Sequence, residues 1–229
     1  MNRGLTNAIR YVMDEWIPPA IRDSRIFMYP FFYIWFKGKY INEIMNFKKN
    51  VYFMSKQEFF DFYKKRDSMA KDRETDLSMA SIRFMLDKMN KDNKTFLDIG
   101  CGNGFLLNMV KDLGFDTTGC DVFEQSPFEH SKYIQGDIEN IPLENDSVDV
   151  ISACHILEHV LDFSKSISEI KRVAAKQVIV VVPCQKYYMY TLDEHINFFP
   201  FKEKLIYHMD MENYICEVIQ GDLVYIGTK

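Results

Sequence analysis

From Lys94 onward, short apolar runs alternate with stretches whose apolar residues recur at helical spacing. Phe96, Leu97 and Ile99 suit a parallel strand covered on both faces, and Phe105, Leu106, Leu107, Met109 and Val110 supply the stripe of a following helix. Gly100, Gly102 and Gly104 interrupt both patterns, so a strand, a tight turn and a helix beginning near Phe105 are predicted. Residues 115–121 read as a second strand, 132–138 as a third strand with its exit, 148–152 as a fourth and 177–182 as a fifth. Ile167, Ile170 and Val173 mark a helix over 163–175, and a further helix over 201–211 precedes an antiparallel pair at 214–219 and 223–227. Ten residues, Pro127 among them, separate Asp121 from Lys132, so any helix there is very short or replaced by a loop. Strands alternating with helices predict an α/β fold whose ligands bind at the carboxyl ends of the strands.

The first 93 residues follow another pattern and read as a mostly helical extension. Its oddest part is residues 26–36, eleven apolar or aromatic residues in a row, too few for a transmembrane helix and interrupted by Pro30. Arg22, Arg25, Lys37 and Lys39 flank this run. It is expected to pack on the sheet domain or on a second copy in a homodimer; a lid over an apolar acceptor and a segment lying on a membrane surface are the alternatives. Ser55-Lys56-Gln57-Glu58 has the form of a capping box opening a helix, and residues 75–89 form a helix that delivers the chain to the first strand.

Charge divides along the same line. Residues 1–93 carry 17 Lys/Arg against 12 Asp/Glu, a net of +5, whereas residues 94–229 carry 11 against 21, a net of −10. An acidic second part disfavours nucleic acid as a partner. The five cysteines are dispersed and odd in number, which points to reduced thiols and a cytoplasmic protein, peripheral at the membrane if residues 26–36 contact lipid. No signal peptide is read at the amino terminus.

The glycine loop narrows the chemistry. A dinucleotide fingerprint would need a third glycine or alanine at position 105, where the chain has phenylalanine. The run Asp98-x-Gly100-x-Gly102-x-Gly104 instead resembles that of class I S-adenosylmethionine-dependent methyltransferases, and the likeness extends from about Lys94 to the carboxyl terminus. Asp121, 21 residues after Gly100, ends the second strand, and the run from Gly136-Asp137 through Ile141-Pro142-Leu143 to Ser147-Val148-Asp149-Val150-Ile151 resembles the family's passage into its central strand. The resemblance implies a Rossmann-like seven-stranded sheet in the order 3-2-1-4-5-7-6 with helices on both faces. Residues 94–229 would form the methyltransferase domain, and residues 1–93 an extension covering the acceptor.

It also implies roles. Asp98 helps hold the amino-acid end of S-adenosylmethionine, Gly100, Cys101, Gly102 and Gly104 cradle it, and Asp121 accepts from both ribose hydroxyls with Val122 beside it. Asp137 accepts from the adenine amino group, Ile138 lies against the ring, and Ala153 completes the set. Tyr187, Tyr188, Tyr190 and Phe198 fall where such enzymes form the acceptor site, and His195-Ile196-Asn197-Phe198 fits a family pattern. His195, His159 and His155 are the candidate bases, since imidazole titrates near neutral pH.

Two short motifs point elsewhere. His155-Ile156-Leu157-Glu158-His159 spells the inverted zinc-protease signature, but it directly follows a strand, so no metal is expected. Pro183-Cys184-Gln185 resembles the nucleophile of DNA cytosine methyltransferases, yet it follows the fifth strand, and Cys184 reads as structural. The expected activity is methyl transfer from S-adenosylmethionine, with S-adenosylhomocysteine as product, to an oxygen and less readily a nitrogen of a small molecule, sugar or lipid-linked glycan. A membrane-surface lipid methyltransferase and a non-catalytic cofactor-binding subunit remain as alternatives.

Overall fold

The structure is a computed structural model that describes residues 3–65, 74–124, 128 and 130–229. It divides into two compact units, Met1–Met69 with Gln185–Phe198, and Ala70–Cys184 with Phe199–Lys229. This is not the expected division at residue 93. The helix over Met79–Lys88 contributes Ile82 and Met85 to the same core as Phe96, Val150 and Ile179, so it belongs with the sheet. Tyr190 packs in a core with Met28, Phe32 and Met45, which draws residues 185–198 to the helices.

The helical unit contains α1 (Arg3–Glu15), α2 (Pro19–Arg22), α3 (Arg25–Trp35), α4 (Ile41–Asn50) and α5 (Lys56–Lys65). Pro30 does not interrupt the apolar run as expected: α3 continues through it. Proline there removes one intrahelical hydrogen bond, while Met28 and Phe32 on the opposite face anchor the helix in the core. The capping box forms as expected, with Ser55 N–H donating to Glu58 Oε2 at 2.8 Å and Glu58 N–H to Ser55 Oγ at 3.3 Å. Phe47 of α4 stacks on Phe62 of α5 with ring centroids 4.5 Å apart, which fixes one helix against the other.

The sheet unit begins with α6 (Met79–Lys88), whose cap is the Ser78 hydroxyl accepting from Ser81 N–H. Its strands are β1 (Thr95–Ile99), β2 (Asp116–Asp121), β3 (Lys132–Gln135), β4 (Val148–Cys154), β5 (Ala174–Pro183), β6 (Asn213–Ile219) and β7 (Asp222–Thr228). Among the described residues the helices after the first strand are α7 (Phe105–Lys111), α8 (Phe163–Val173) and α9 (Lys202–Met209), with a 3-10 turn at Leu157–His159. The sheet order is β3-β2-β1-β4-β5-β7-β6, with β7 antiparallel to both neighbours, as the resemblance implies. Pro127 and the other residues at 125–127 and 129 lie outside the described residues.

Period-two alternation sorts β1 between two cores. Leu97 and Ile99 face the core that Ile167 and Ile170 of α8 and Leu205 and Met209 of α9 complete, whereas Phe96 faces Ile82 of α6 and Leu107 and Val110 of α7. With both faces covered, β4 and β5 run through an apolar interior. That burial brings the carboxyl ends of β1, β2 and β4 to one edge, where the glycine loop leaves β1.

Candidate functional site

Gly100, Gly102 and Gly104 all have positive φ, so the loop after β1 turns tightly into α7. The three differ in surroundings. A Cβ at Gly100 would lie 2.6 Å from Ile156 Cδ1 and one at Gly104 would lie 2.7 Å from Phe128 Cε1, whereas one at Gly102 would meet nothing within 4 Å among the described residues. Gly100 and Gly104 are therefore places where side chains close on the loop. Among the described residues no side chain closes on Gly102.

Asp121 joins that loop to the end of β2. Its Oδ2 accepts from Gly102 N–H at 3.1 Å and its Oδ1 from Phe123 N–H at 3.1 Å. Tyr133 Oη donates to the backbone carbonyls of Asp121 at 3.1 Å and Phe123 at 2.5 Å, so β3 holds the turn that carries the carboxylate. Val122 is half-buried in this turn. At the exit of β3, Asp137 Oδ1 accepts from Glu139 N–H at 2.9 Å, and the neighbouring Ile138 side chain is buried.

Asp98 lies buried on β1, in register with Ser152 of β4, whose hydroxyl donates to Asp98 Oδ1 at 2.5 Å. Burial raises the Asp98 carboxyl to about 7, opposed by the Ser152 hydrogen bond and assisted by the charge of Asp121. Sequence reading missed Ser152, although a hydroxyl in the apolar run Val148–Cys154, opposite a buried acid, was a usable signal. It also missed Ile156, Phe128 and Tyr133, which act through distances that no sequence period encodes. Cys101 and Ala153 are fully enclosed, and burial pushes the Cys101 thiol far up, which removes it as a nucleophile.

Of the three candidate histidines, the turn after β4 carries two. His155 has φ +53°, its Nδ1 lies 3.2 Å from Glu158 Oε1, and its Nε2 lies 3.6 Å from Asp222 Oδ1. The second distance is that of an ion pair and too long for a hydrogen bond. Burial disfavours the imidazolium, but the Asp222 and Glu158 carboxylates outweigh it and raise the pKa to about 10. His155 thus keeps its proton at neutral pH, which corrects its candidacy as a base. His159 ends the 3-10 turn at Leu157–His159, so the two imidazoles do not share one face of a long helix, as the zinc-protease arrangement requires.

The remaining predicted residues fall in the helical unit. His195 Nδ1 lies 2.8 Å from Gln185 Oε1 and 3.3 Å from Asp193 Oδ2. Both acceptors face Nδ1, which places a hydrogen on that nitrogen. Tyr188, Tyr190 and Phe198 are buried, Tyr190 edge-on to Phe32, and Tyr187 is exposed. Three of the four aromatic residues assigned to the acceptor are therefore packed within the unit's interior. Lys48, absent from the sequence reading, sits among this group with Nζ 4.4 Å from the centre of the Phe198 ring.

Comparison with known proteins bears on the sheet unit. Residues 97–182 match the methyltransferase domain family. A ubiquinone/menaquinone biosynthesis C-methyltransferase of Campylobacter jejuni is 29% identical over 113 residues, covering 44% of this chain and 48% of that protein. The chain thus spans about half the length of the curated relatives it matches. A solved protein of Pyrococcus horikoshii superposes with a TM-score of 0.57 at 16% identity, covering 74% of this chain and 99% of that one. An S-adenosylmethionine-dependent methyltransferase of Archaeoglobus fulgidus gives 0.56 at 16% identity, covering 66% and 92%. The family match, the sheet order and the glycine loop together mark residues 97–182 as a methyltransferase domain with the class I S-adenosylmethionine-dependent fold.

Proposed function

We propose that the protein transfers a methyl group from S-adenosylmethionine to an oxygen of a small molecule, sugar or lipid-linked glycan, with nitrogen the second choice of acceptor atom. The observation that carries this reading is the Gly102–Asp121 contact, a left-handed glycine open on its Cβ side among the described residues and tied to a carboxylate at the strand edge. A carboxylate has about four acceptor sites spread over two oxygens, so one at this strand end suits a ribose diol. Gly102 allows the ligand close to the backbone. Asp98 suits the ammonium of the amino-acid end, because a cation beside it restores the ionised form that burial opposes. Asp137 and Ile138 offer an acceptor and an apolar wall to adenine.

S-adenosylmethionine supplies an electrophilic methyl carbon on a sulfonium. The protein aligns the acceptor and excludes water. A hydroxyl acceptor must lose a proton, and His195, oriented through Nδ1 by Gln185 and Asp193, is the base in this reading. The preference for oxygen rests on that histidine.

Calorimetric titration with S-adenosylhomocysteine tests the first half. Asp121→Ala should weaken binding about ten- to a hundredfold, the worth of a hydrogen-bonded charged acceptor. His195→Gln should leave that affinity unchanged and abolish turnover at neutral pH with labelled methyl donor and a panel of sugars and lipid-linked glycans. Absence of binding by the folded wild-type chain would defeat the cofactor assignment, and undiminished turnover by His195→Gln would defeat the base.

A further inference from the structure

After Arg25, helix α3 is apolar or aromatic on every side, a composition that belongs to helices buried all round. Only one side of it is buried here. Met28 and Phe32 enter the core of the helical unit, while Ile26, Tyr29, Pro30, Tyr33 and Ile34 share the opposite stripe at spacings of three and four residues and are exposed, Ile26 by 87% and Ile34 by 76%. Leaving such a stripe in water is costly, and a contiguous apolar face marks a docking surface.

Charge and backbone chemistry say what covers it. From Ser24 through Asn42 the chain has three cations, Arg25, Lys37 and Lys39, and no carboxylate. The whole helical unit carries 13 Lys/Arg against 9 Asp/Glu, whereas the rest of the chain carries 15 against 24. The partner is therefore anionic at its polar level and apolar beneath. Tyr29 and Tyr33, stacked with centroids 6.3 Å apart, have an apolar body and a hydroxyl tip, the combination suited to a headgroup boundary. Pro30 lacks the N–H that would bond the Ile26 carbonyl, and both residues lie on the exposed stripe. In a dry protein interface that carbonyl would be stranded, but the hydrated interfacial zone of a bilayer can satisfy it. Eleven residues give a helix of about 16 Å, against a hydrocarbon core of about 30 Å. No helix among the described residues is long and apolar enough to cross a membrane.

We propose that the outer face of α3 lies in the surface of an anionic lipid bilayer, with the exposed Lys37 and Lys39 at the headgroup level. This docking is independent of the methyl-transfer reading. A consequence for that reading is that the acceptor would meet the enzyme at a membrane surface.

Flotation of the full chain with vesicles tests it, using equimolar phosphatidylcholine and phosphatidylglycerol beside pure phosphatidylcholine. The wild type should float with the anionic vesicles, less with the neutral ones, and less again in high salt. The paired substitution Ile26→Glu with Ile34→Glu, at exposed positions, should cut partition about tenfold or more with an unchanged circular-dichroism spectrum. Failure of the wild type to float, or equal flotation of the variant, would overturn the proposal. So would a wild-type dimer that the substitutions dissociate without any vesicle binding, since a second copy would then cover the face. Titration of both proteins with S-adenosylhomocysteine reports separately on the cofactor site, so either reading can fail alone.

Discussion

Each unit holds a partly buried basic side chain, His155 in the sheet unit and Lys48 in the helical unit, and the two are treated in opposite ways. In the sheet unit His155 lies between the carboxylates of Glu158 and Asp222, and Asp222 also accepts from the Ser81 hydroxyl of α6 at 3.0 Å. Glu158 and Asp222 are almost wholly buried, yet their negative charges hold the imidazole as a cation up to about pH 10. In the helical unit Lys48 donates to the Tyr188 carbonyl at 2.9 Å and lies near the rings of Phe198, Tyr187 and Tyr188. Burial lowers its pKa to about 7, and the charges of Asp193 and Asp23 only partly oppose that. A buried cation paired with acids ties elements together; an amine caged by aromatic rings costs the fold whenever it is charged.

The comparison predicts opposite responses to pH. His155 has a folded pKa above its ordinary value of 6.5, so its contribution is complete below about 6.5 and is lost as pH rises through about 10. Lys48 has a folded pKa below its ordinary 10.5, so the unfolded chain holds the proton more tightly and stability rises with pH from about 7 towards 10.5. Hydrogen exchange resolved by unit should therefore show the sheet unit losing protection between pH 7 and 10 while the helical unit gains it.

The largest effect belongs to His155→Asn. Asparagine tolerates the left-handed backbone that His155 adopts, so the substitution isolates the loss of charge. Two buried carboxylates without their cation should cost about 3–5 kcal/mol in urea unfolding at pH 7. The alkaline loss of stability should shrink in the same variant. A variant as stable as the wild type would show that the carboxylates are satisfied without the imidazolium.

Lys48→Met tests the other half with a smaller change of opposite sign. Methionine keeps most of the apolar stem, so the helical unit should gain about 1–2 kcal/mol at pH 6. That gain should diminish as the pH rises above about 7. Destabilisation at pH 6 would mean that attraction between the ammonium and the Phe198 ring exceeds the cost of desolvation.

The contrast also explains what was legible from sequence. The strands of the sheet unit were readable because covered parallel strands leave unbroken apolar runs, and the family's glycine and aspartate positions fell at the expected strand ends. Asp98, Gly102 and Asp121 come together because β1 and β2 pair in register, a consequence of the fold class alone. His155 and Asp222 are 67 positions apart, and Lys48 and Tyr188 are 140 apart, so no local period announces either pair. The unit boundary was hidden for the same reason: residues 185–198 leave the sheet region of the sequence and pack with α3 through Tyr190 and Phe32. Pro30 was misread as a break because proline's penalty is local, whereas the core contacts of Met28 and Phe32 that carry the helix through it are not.

Pro30 offers the finest test of the difference between the units. Pro30→Ala restores the N–H that can bond the Ile26 carbonyl and removes the ring from a helix interior, both favourable to α3. Against this, alanine gives the unfolded chain more freedom, a loss of about 0.4–1 kcal/mol. The net expectation is a gain of about 1 kcal/mol, confined to the helical unit and read as slower exchange of the α3 amides. If instead α3 exchanges faster, the proline's stiffness outweighs its missing bond, and the kept irregularity would be stabilising after all. A gain would leave the helical unit with two features, Pro30 and Lys48, that lower its own stability. The sheet unit instead gives its buried imidazolium two carboxylate partners.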